Sequence, residues 1–551
     1  MSTTRRRARA NDWTRAGVLA LLLLPAVDGG CGASDDPAAA DLGDLGGPPD
    51  SGLDPDQGGA ADLGPVVDAG TDGGPEELGV TWDYRPITPP AGPLPAALQG
   101  ATWLAHLHDD LLPYWTQPAA LGEPPGNYPT YRGMDGTVQG PAEVRPRMLG
   151  RQIFHYCAAY LLTGDAALLG HARAGIDWLL AHAKDGERGG YHALLDGRGT
   201  PSGGLDRTAQ DLSYVLLGFA AYHFVTRDPV AEAELLAGRD LLFDPAGYWD
   251  AANRRIRDAR TADMTAEVDQ EGDGGWELVA QLDPINAFLL LAQPVLTDAA
   301  RRAQFLNDLD VLSRTIQERF WSAGIFWGVS SKQGQYGARH VDFGHTLKSY
   351  WMLLSVDRRL PGHPYHAFLQ EHLPPALDRA YGAAHGRWAK RPRSATEVEY
   401  GSDWWAYAEA DQLAGALALL LPGQTARLAA TTGHWLSDYV DRTRPAREVV
   451  SSIRRDGSWV WGWTAADTAK CNEWKNGFHS AEHALVLYLV GQQLAGEDAT
   501  LHFAVPPAQA GTFVATPYTF AGRATGRQEG GTFPLGGQEL RQVTVRFTEI
   551  H

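Results

Sequence analysis

The stretch His479-Ser-Ala-Glu-His483, near the end of the chain, contains residue types that can hold a metal ion or move a proton. It fits the pattern H-x-x-E-H, in which two histidines one helical turn apart bind zinc. In its longer context, His479 follows Trp474-Lys475-Asn-Gly-Phe at a predicted junction between a loop and a helix. There it can face a cavity and carry a proton, because the ordinary pKa of histidine lies near neutrality.

The zinc hypothesis requires a third protein ligand and an open position for water. The acids after His483 mostly lie in Gly-rich, strand-like sequence: they are Glu497, Asp498, Glu529, Glu539 and Glu549. This favours His479 as a proton carrier and His483 as a packed or capping residue. Glu482 is then expected to be an ordinary acid near the positive end of a helix. No metal and no organic cofactor is expected.

Helices must position these residues, because apolar residues recur at three- and four-residue spacing over most of residues 95–495. The twelve predicted segments are 97–112, 144–162, 165–183, 206–226, 229–242, 277–296, 298–320, 339–357, 364–382, 402–421, 424–441 and 474–495. Twelve antiparallel helices with one set of long polar loops predict an all-α fold, an (α/α)6 toroid of six helical hairpins. Asp283 and Asn286 interrupt one apolar helix, and we expect them to hydrogen-bond between helices.

The two ends of the chain differ from this helical part. Residues 1–31 resemble a bacterial lipoprotein signal, with a basic start, an apolar run and Cys31 as the expected lipidation site. Residues 32–80 contain 12 acids and no Lys or Arg, which predicts a disordered acidic tether. We assign 81–497 to the barrel. Period-two alternation in 512–522 and 542–550 predicts strands in a β-rich extension over 498–551.

Composition narrows the partners. The net charge is −19, of which the tether carries −12 and the signal +3, so about −10 remains on the folded part. This balance argues against nucleic acid as a partner. The 18 Trp and 19 Tyr are compatible with a carbohydrate ligand, although filling a large core accounts for most of them. Cys157 and Cys471 are predicted either to pair or to be two buried thiols.

Six stretches occur in an order that resembles one enzyme family. They are RQIFHYCAAYLLTGD (151–165), RGGYHALLDGRG (188–199), AQDLSYVLLGFA (209–220), DFGHTLKSYWMLL (342–354), DWWAYAEA (403–410) and EWKNGFHS (473–480). Together they resemble the N-acylglucosamine 2-epimerase superfamily, which includes cellobiose 2-epimerases and aldose–ketose isomerases. The resemblance implies a mono- or oligosaccharide substrate.

The resemblance also implies roles for individual residues. Its catalytic set here is His345, His479, Glu409 and Arg151, and its substrate-binding set is Trp405, Trp351, Asp211 and Trp474. We add Lys348 to the substrate-binding set because its cation could stabilise an oxyanion or recognise an acidic sugar. In such enzymes a proton leaves the carbon beside the carbonyl and is then returned. Two histidines on opposite faces of the opened sugar suit epimerisation, whereas one histidine that shuttles between adjacent carbons suits isomerisation. Arg151 would stabilise the enediolate oxygen.

Two positions depart from the family pattern. Lys348 stands where the family has a glutamate three residues after its histidine, and Leu212 stands where many members have histidine. These departures keep other hypotheses open. One is a glycoside hydrolase or lyase that uses Asp211 and Glu409, and another is a lipoprotein that binds carbohydrate without turnover. The expected location is outside the cytoplasm, lipid-anchored at the outer membrane or cell surface.

Overall fold

The structure is a computed structural model that describes residues 82–454, 457–460 and 469–551. The predicted signal, Cys31 and the predicted tether lie outside the described residues. Each of the twelve predicted helical segments contains a helix. In chain order these are α1 (Gly100–Ala105), α2 (Pro146–Thr163), α3 (Ala166–Trp178), α4 (Ala209–Thr226), α5 (Pro229–Leu242), α6 (Leu278–Pro284), α7 (Ala299–Phe320), α8 (Phe343–Asp357), α9 (His366–Ala380), α10 (Trp404–Ala418), α11 (Thr425–His434) and α12 (Phe478–Ala495). The prediction of a mostly α-helical fold is confirmed.

Four of these helices are extended by a π-helical turn. The turns are His106–Leu111, Leu179–Ala183, Ile285–Leu289 and Trp435–Tyr439, and short α-helical pieces Leu112–Trp115, Pro118–Leu121 and Leu290–Ala292 occur nearby. Several helices begin after a residue whose side chain accepts a hydrogen bond from a backbone N–H group of the first turn. Short polar residues are preferred at this position. Thr208 caps α4, Asp228 caps α5 and Asp342 caps α8.

Short strands occur in the loops between the helices, and the sequence pattern does not predict them. Two-stranded pairs are Glu143–Val144 with Leu195–Asp196, Trp249–Asp250 with Arg255–Ile256, Trp321–Ser322 with Ile325–Phe326, Tyr381–Gly382 with Arg387–Trp388, and Arg391–Pro392 with Val398–Glu399. Three-stranded sets are Arg207–Thr208, Ala259–Arg260 and Glu267–Val268, and Gly401–Asp403, Ser452–Arg454 and Trp459–Val460. Most strands here have two residues, too few to show a periodicity.

A three-stranded antiparallel sheet follows the last helix. Its strands are β1 (Ala499–Val505), β2 (Arg523–Leu535) and β3 (Gln538–Thr548), with β3 in the centre. The predicted strand at 542–550 falls largely on β3. The predicted strand at 512–522 is wrong, because that segment is irregular: Pro517 lacks a backbone donor and Tyr518 has φ of 60°. The strand β2 escaped prediction because it is an exposed edge strand without apolar alternation.

The sheet packs on the helical part through β1, which contacts α2 and α4. Phe503 of β1 is fully buried and meets Phe224 of α4 with ring centroids 5.9 Å apart. The segment Leu278–Val295 is long and apolar enough to cross a membrane by composition, yet 89% of it is buried inside the protein. This segment is therefore a core helix of the fold.

We expect Phe503→Ala to destabilise the whole protein, because the cavity it leaves lies between the sheet and the helices. The expected loss is about 3–5 kcal/mol in the free energy of unfolding, measured by chemical denaturation. The matched control is Gln528→Ala on the exposed face of β2, which should change little. If the sheet of the Phe503→Ala variant unfolded at a lower denaturant concentration than the helices, this result would contradict the coupling between the sheet and the helical part.

Candidate active site

Three neighbouring helices bring polar side chains to one place. The helix α10 packs against both α8 and α12. Each helix presents two residues at a spacing of three or four, which lies on one helical face. The pairs are His345 and Lys348 on α8, Trp405 and Glu409 on α10, and His479 and Glu482 on α12. The residues that the sequence predicted from distant motifs are thus adjacent in the fold.

His345 is held at the start of α8 by Asp342. One carboxylate oxygen of Asp342 accepts from the backbone N–H of His345, and the other lies 2.7 Å from its Nδ1. Burial works against the charge of Asp342, but His345 keeps the pKa of this carboxyl below its ordinary value. When Nδ1 carries the hydrogen, Nε2 keeps a lone pair and can accept a proton. Asp342 and His345 therefore form an oriented base.

The indole ring of Trp405 lies beside both histidines. Its ring centroid is 4.6 Å from that of His345 and 6.2 Å from that of His479. Gly344 permits this approach, since a Cβ at that position would lie 2.7 Å from two indole carbons. Trp405 is partly exposed, so part of its side chain is accessible next to the two imidazoles. Such a face can stack on a sugar ring.

His479 is buried beneath this tryptophan and contacts an acid. Its Nδ1 lies 3.4 Å from Oε1 of Glu409. Burial lowers the pKa of His479 well below its ordinary value, and the cations of Arg151 and Lys348 lower it further. The imidazole of His479 is therefore neutral at neutral pH.

Lys348 joins the helices beneath the histidines. Its ammonium donates to Asp283 over 2.9 Å and to the Tyr214 hydroxyl over 3.3 Å, and it lies 3.8 Å from Glu409. Burial disfavours the charge, but Asp283 raises the pKa of Lys348 above its ordinary value. Asp283 also accepts from Gln210 and Tyr214 of α4. The prediction that Asp283 bonds between helices is confirmed.

Glu409 and Glu482 are two carboxyls buried in the same cluster. Burial raises the pKa of Glu409 to about 7, although Lys348 opposes the rise. Burial, together with the nearby Glu409, raises the pKa of Glu482 to about 8. The Tyr518 hydroxyl donates to Oε1 of Glu482 over 2.5 Å. The expectation that Glu482 is an ordinary helix-start acid is therefore wrong, because the last segment of the chain covers it.

The two histidines of the opening motif have different surroundings. His483 lies 3.2 Å from Asp411 and packs between the rings of Trp103 and Trp435. This confirms the expectation that His483 is a packed residue. Glu409, His479 and Glu482 are of metal-binding types and have atoms within 4.8 Å of one another. The Lys348 ammonium beside Glu409 would repel a divalent cation, so we assign no metal to them.

The remaining predicted site residues are Arg151, Trp474, Asp211 and Trp351. The first three share contacts with neighbouring residues, and Trp351 is the exception. The Arg151 guanidinium lies 3.7 Å above the Tyr214 ring and donates to the Trp474 carbonyl. Arg147, which the sequence reading missed, stacks on Trp474 at 4.0 Å and binds Asp211 at 3.0 Å. These contacts place both Trp474 and Asp211 next to Arg147. The exception is Trp351, which is 1% exposed in the core.

A buried ion pair positions the loop before α12. The ammonium of Lys475 lies 2.5 Å from Glu448, and both side chains are fully buried. Ser480 of α12 and the indole of Trp115 also donate to Glu448. The pair fixes the segment that leads from Trp474 into His479. The two other cysteines take no part, because Cys157 and Cys471 are free, buried thiols.

Lys348→Met should strongly destabilise the protein, because it leaves the Asp283 carboxylate buried without its cation. We expect a loss of about 3–5 kcal/mol in the free energy of unfolding by chemical denaturation. Adding Asp283→Asn to this variant should restore part of the loss. A single variant as stable as the original protein would contradict the assigned ion pair.

Comparisons with known proteins concern the sequence and the fold. No family model matches the chain. A cellobiose 2-epimerase of Bacteroides fragilis is 24% identical over 333 residues, which cover 54% of this chain and 76% of the relative. Three solved structures share the fold: cellobiose 2-epimerases from Bacillus thermoamylovorans (TM-score 0.59, 15% identity, 71% of this chain and 99% of that one) and Spirochaeta thermophila (0.59, 19%, 72% and 97%), and a D-mannose isomerase (0.60, 18%, 72% and 99%). The sequence match and the shared fold agree with the resemblance that the motifs indicated: the chain is similar in sequence to a cellobiose 2-epimerase, and it shares the fold of cellobiose 2-epimerases and of a D-mannose isomerase.

Proposed function

We propose that the protein is a sugar epimerase or isomerase of the cellobiose 2-epimerase type, acting on a reducing mono- or oligosaccharide. The observation that carries this proposal is the position of Trp405, whose ring meets the imidazoles of both His345 and His479. A sugar stacked on this indole would have a histidine near each side. We further propose that the twelve helices form an (α/α)6 toroid and that residues 498–551 are its C-terminal β-rich extension.

His345 is the base in this proposal. Asp342 orients its imidazole and stabilises the imidazolium that forms when His345 takes the proton beside the carbonyl. Negative charge then develops on the sugar oxygen as the enediolate forms. The Arg151 guanidinium acts electrostatically on His479 and donates to the backbone carbonyl of Trp474, and in this proposal it stabilises that charge.

His479 is the second proton carrier. It returns a proton to the opposite face in an epimerisation, whereas return by His345 to the neighbouring carbon gives an aldose–ketose isomerisation. The hydrolase alternative gains no specific support, since its two carboxyls have different partners: Asp211 binds Arg147, and Glu409 contacts His479 and Lys348.

The test is incubation of the protein with a panel of reducing sugars in heavy water, followed by mass spectrometry. The original protein should place deuterium on the carbon beside the carbonyl. His345→Gln and His479→Gln should each slow this exchange by roughly 10²- to 10⁴-fold, because each removes a proton carrier. His108→Gln is the control, as His108 is exposed and contacts Asp109 only at the surface.

The product identifies the reaction. An epimer would support proton return by His479, and a ketose would support return by His345. No deuterium incorporation in any sugar by the original protein would contradict the proposal.

We also propose that the protein is exported and lipid-anchored through Cys31, at the outer membrane or cell surface. The motivation is the basic start, the apolar run and the cysteine that follows it. Labelled fatty acid should be incorporated into the protein in a bacterial host, and Cys31→Ala should abolish that label. Equal labelling of both proteins would contradict the anchor.

A further inference from the structure

Glu482 occupies a position that the proposed reaction has not yet used. It lies one helical turn after His479 on α12, is 1% exposed, and has an oxygen within 4.8 Å of the ligand atoms of Glu409 and His479. Its partner Tyr518 comes from the segment between β1 and β2 and is itself 3% exposed. The last part of the chain thus reaches the centre of the candidate site.

The charges of this cluster do not balance if both carboxyls are ionised. The ammonium of Lys348 is matched by Asp283, and among the residues that the structure describes no further full cation contacts Glu409 or Glu482. Other titratable groups that act on the cluster are His345, His483, Asp411, Arg151 and Tyr518. Two uncompensated carboxylates in a dry interior are costly, and a shared proton removes most of that cost.

We propose that Glu409 and Glu482 share a proton in the resting protein, that this proton reaches the sugar through His479, and that Tyr518 positions Glu482 for this task. The proposal rests on the proposed function, because it specifies how His479 receives the proton that it returns. Glu409, Glu482 and Tyr518 are positioning and relay residues, whereas His479 is the group that meets the sugar.

The transfer balances in protons and electrons. His345 takes the proton beside the carbonyl, and the C–H electron pair becomes part of the enediolate. The neutral imidazole of His479 gives the hydrogen on Nε2 to carbon while Nδ1 takes the proton of the Glu409 carboxyl. Glu409 becomes a carboxylate that Lys348 stabilises at 3.8 Å. Transfer of the proton from His345 through water to Nε2 of His479, with return of the Nδ1 hydrogen to Glu409, resets the site.

Tyr518 determines which oxygen of Glu482 can hold the proton. Its hydroxyl donates to Oε1, so Oε1 is an acceptor and Oε2 is left for the proton shared with Glu409. The ring of Tyr518 packs edge-on against Phe154 of α2, which fixes its position. A divalent cation in place of the proton is disfavoured, since it would face the ammonium of Lys348.

Infrared spectroscopy of the full protein detects a protonated carboxyl by its C=O stretch, without any sugar. In the difference spectrum between the original protein and Glu482→Gln at neutral pH, we expect one such band from the original protein, because Glu409 ionises beside Lys348 in the variant. Other buried carboxyls with a raised pKa, such as Asp258, contribute equally to both proteins and cancel. Tyr518→Phe removes a hydrogen bond that favours the carboxylate, so the pH at which the band disappears should rise. Tyr488→Phe is the matched control, because it removes a partly buried hydrogen bond between α12 and β1 away from the cluster.

Exchange kinetics in heavy water give the second readout. Glu482→Gln should lower the rate constant kcat by roughly 10- to 100-fold with little change in KM, whereas Tyr488→Phe should leave both unchanged. An absent infrared band in the original protein, or stoichiometric binding of zinc or manganese, would overturn the shared proton. If the original protein exchanges and Glu482→Gln exchanges equally well, the relay is wrong and the proposed function stands. If the infrared band is present but the original protein shows no exchange with any sugar, both the relay and the proposed function are wrong.

Discussion

One buried ammonium connects the helices that form the candidate site. Lys348 of α8 binds Asp283 of α6 and Tyr214 of α4, and it lies next to Glu409 of α10. A buried charge must be paired, so the four helices cannot separate here without exposing an unpaired ion. The same cation also acts on the chemistry, because it disfavours a proton on His479 and favours the ionised form of Glu409. Structure and reactivity therefore depend on one side chain.

Lys348 was the residue that argued most strongly against a working site, because the related enzymes have a glutamate there. The structure changes that assessment. A carboxyl is present in the same cluster, but it comes from Glu482, three residues after the second histidine instead of the first. The cation and the carboxyl thus occupy equivalent turns of α8 and α12, on either side of Glu409. The cluster thus contains both a cation and a carboxyl at these two turns.

The helices could be predicted from sequence because they depend on local spacing, whereas the meeting of His345, Glu409 and His479 was implied by the family resemblance of their motifs. Periodicity located all twelve helical segments, and the pairs at three or four residues determined which side chains share a face. Tertiary contacts could not be predicted in the same way. Nothing near Glu482 in the sequence indicates that Tyr518, 36 residues later, will cover it. Arg147 was missed for a similar reason, since its partners Asp211 and Trp474 are far away in the chain.

In the proposed complex, a sugar lies on Trp405 with one histidine on each side. A crystal structure with a bound open-chain sugar alcohol tests it most directly, because such a ligand mimics the opened substrate and does not react. We expect the second carbon of this ligand to lie within about 3–3.5 Å of a ring nitrogen of His345 and of a ring nitrogen of His479. We also expect the sugar to stack on the indole of Trp405. A ligand bound away from Trp405 and both histidines would contradict this arrangement.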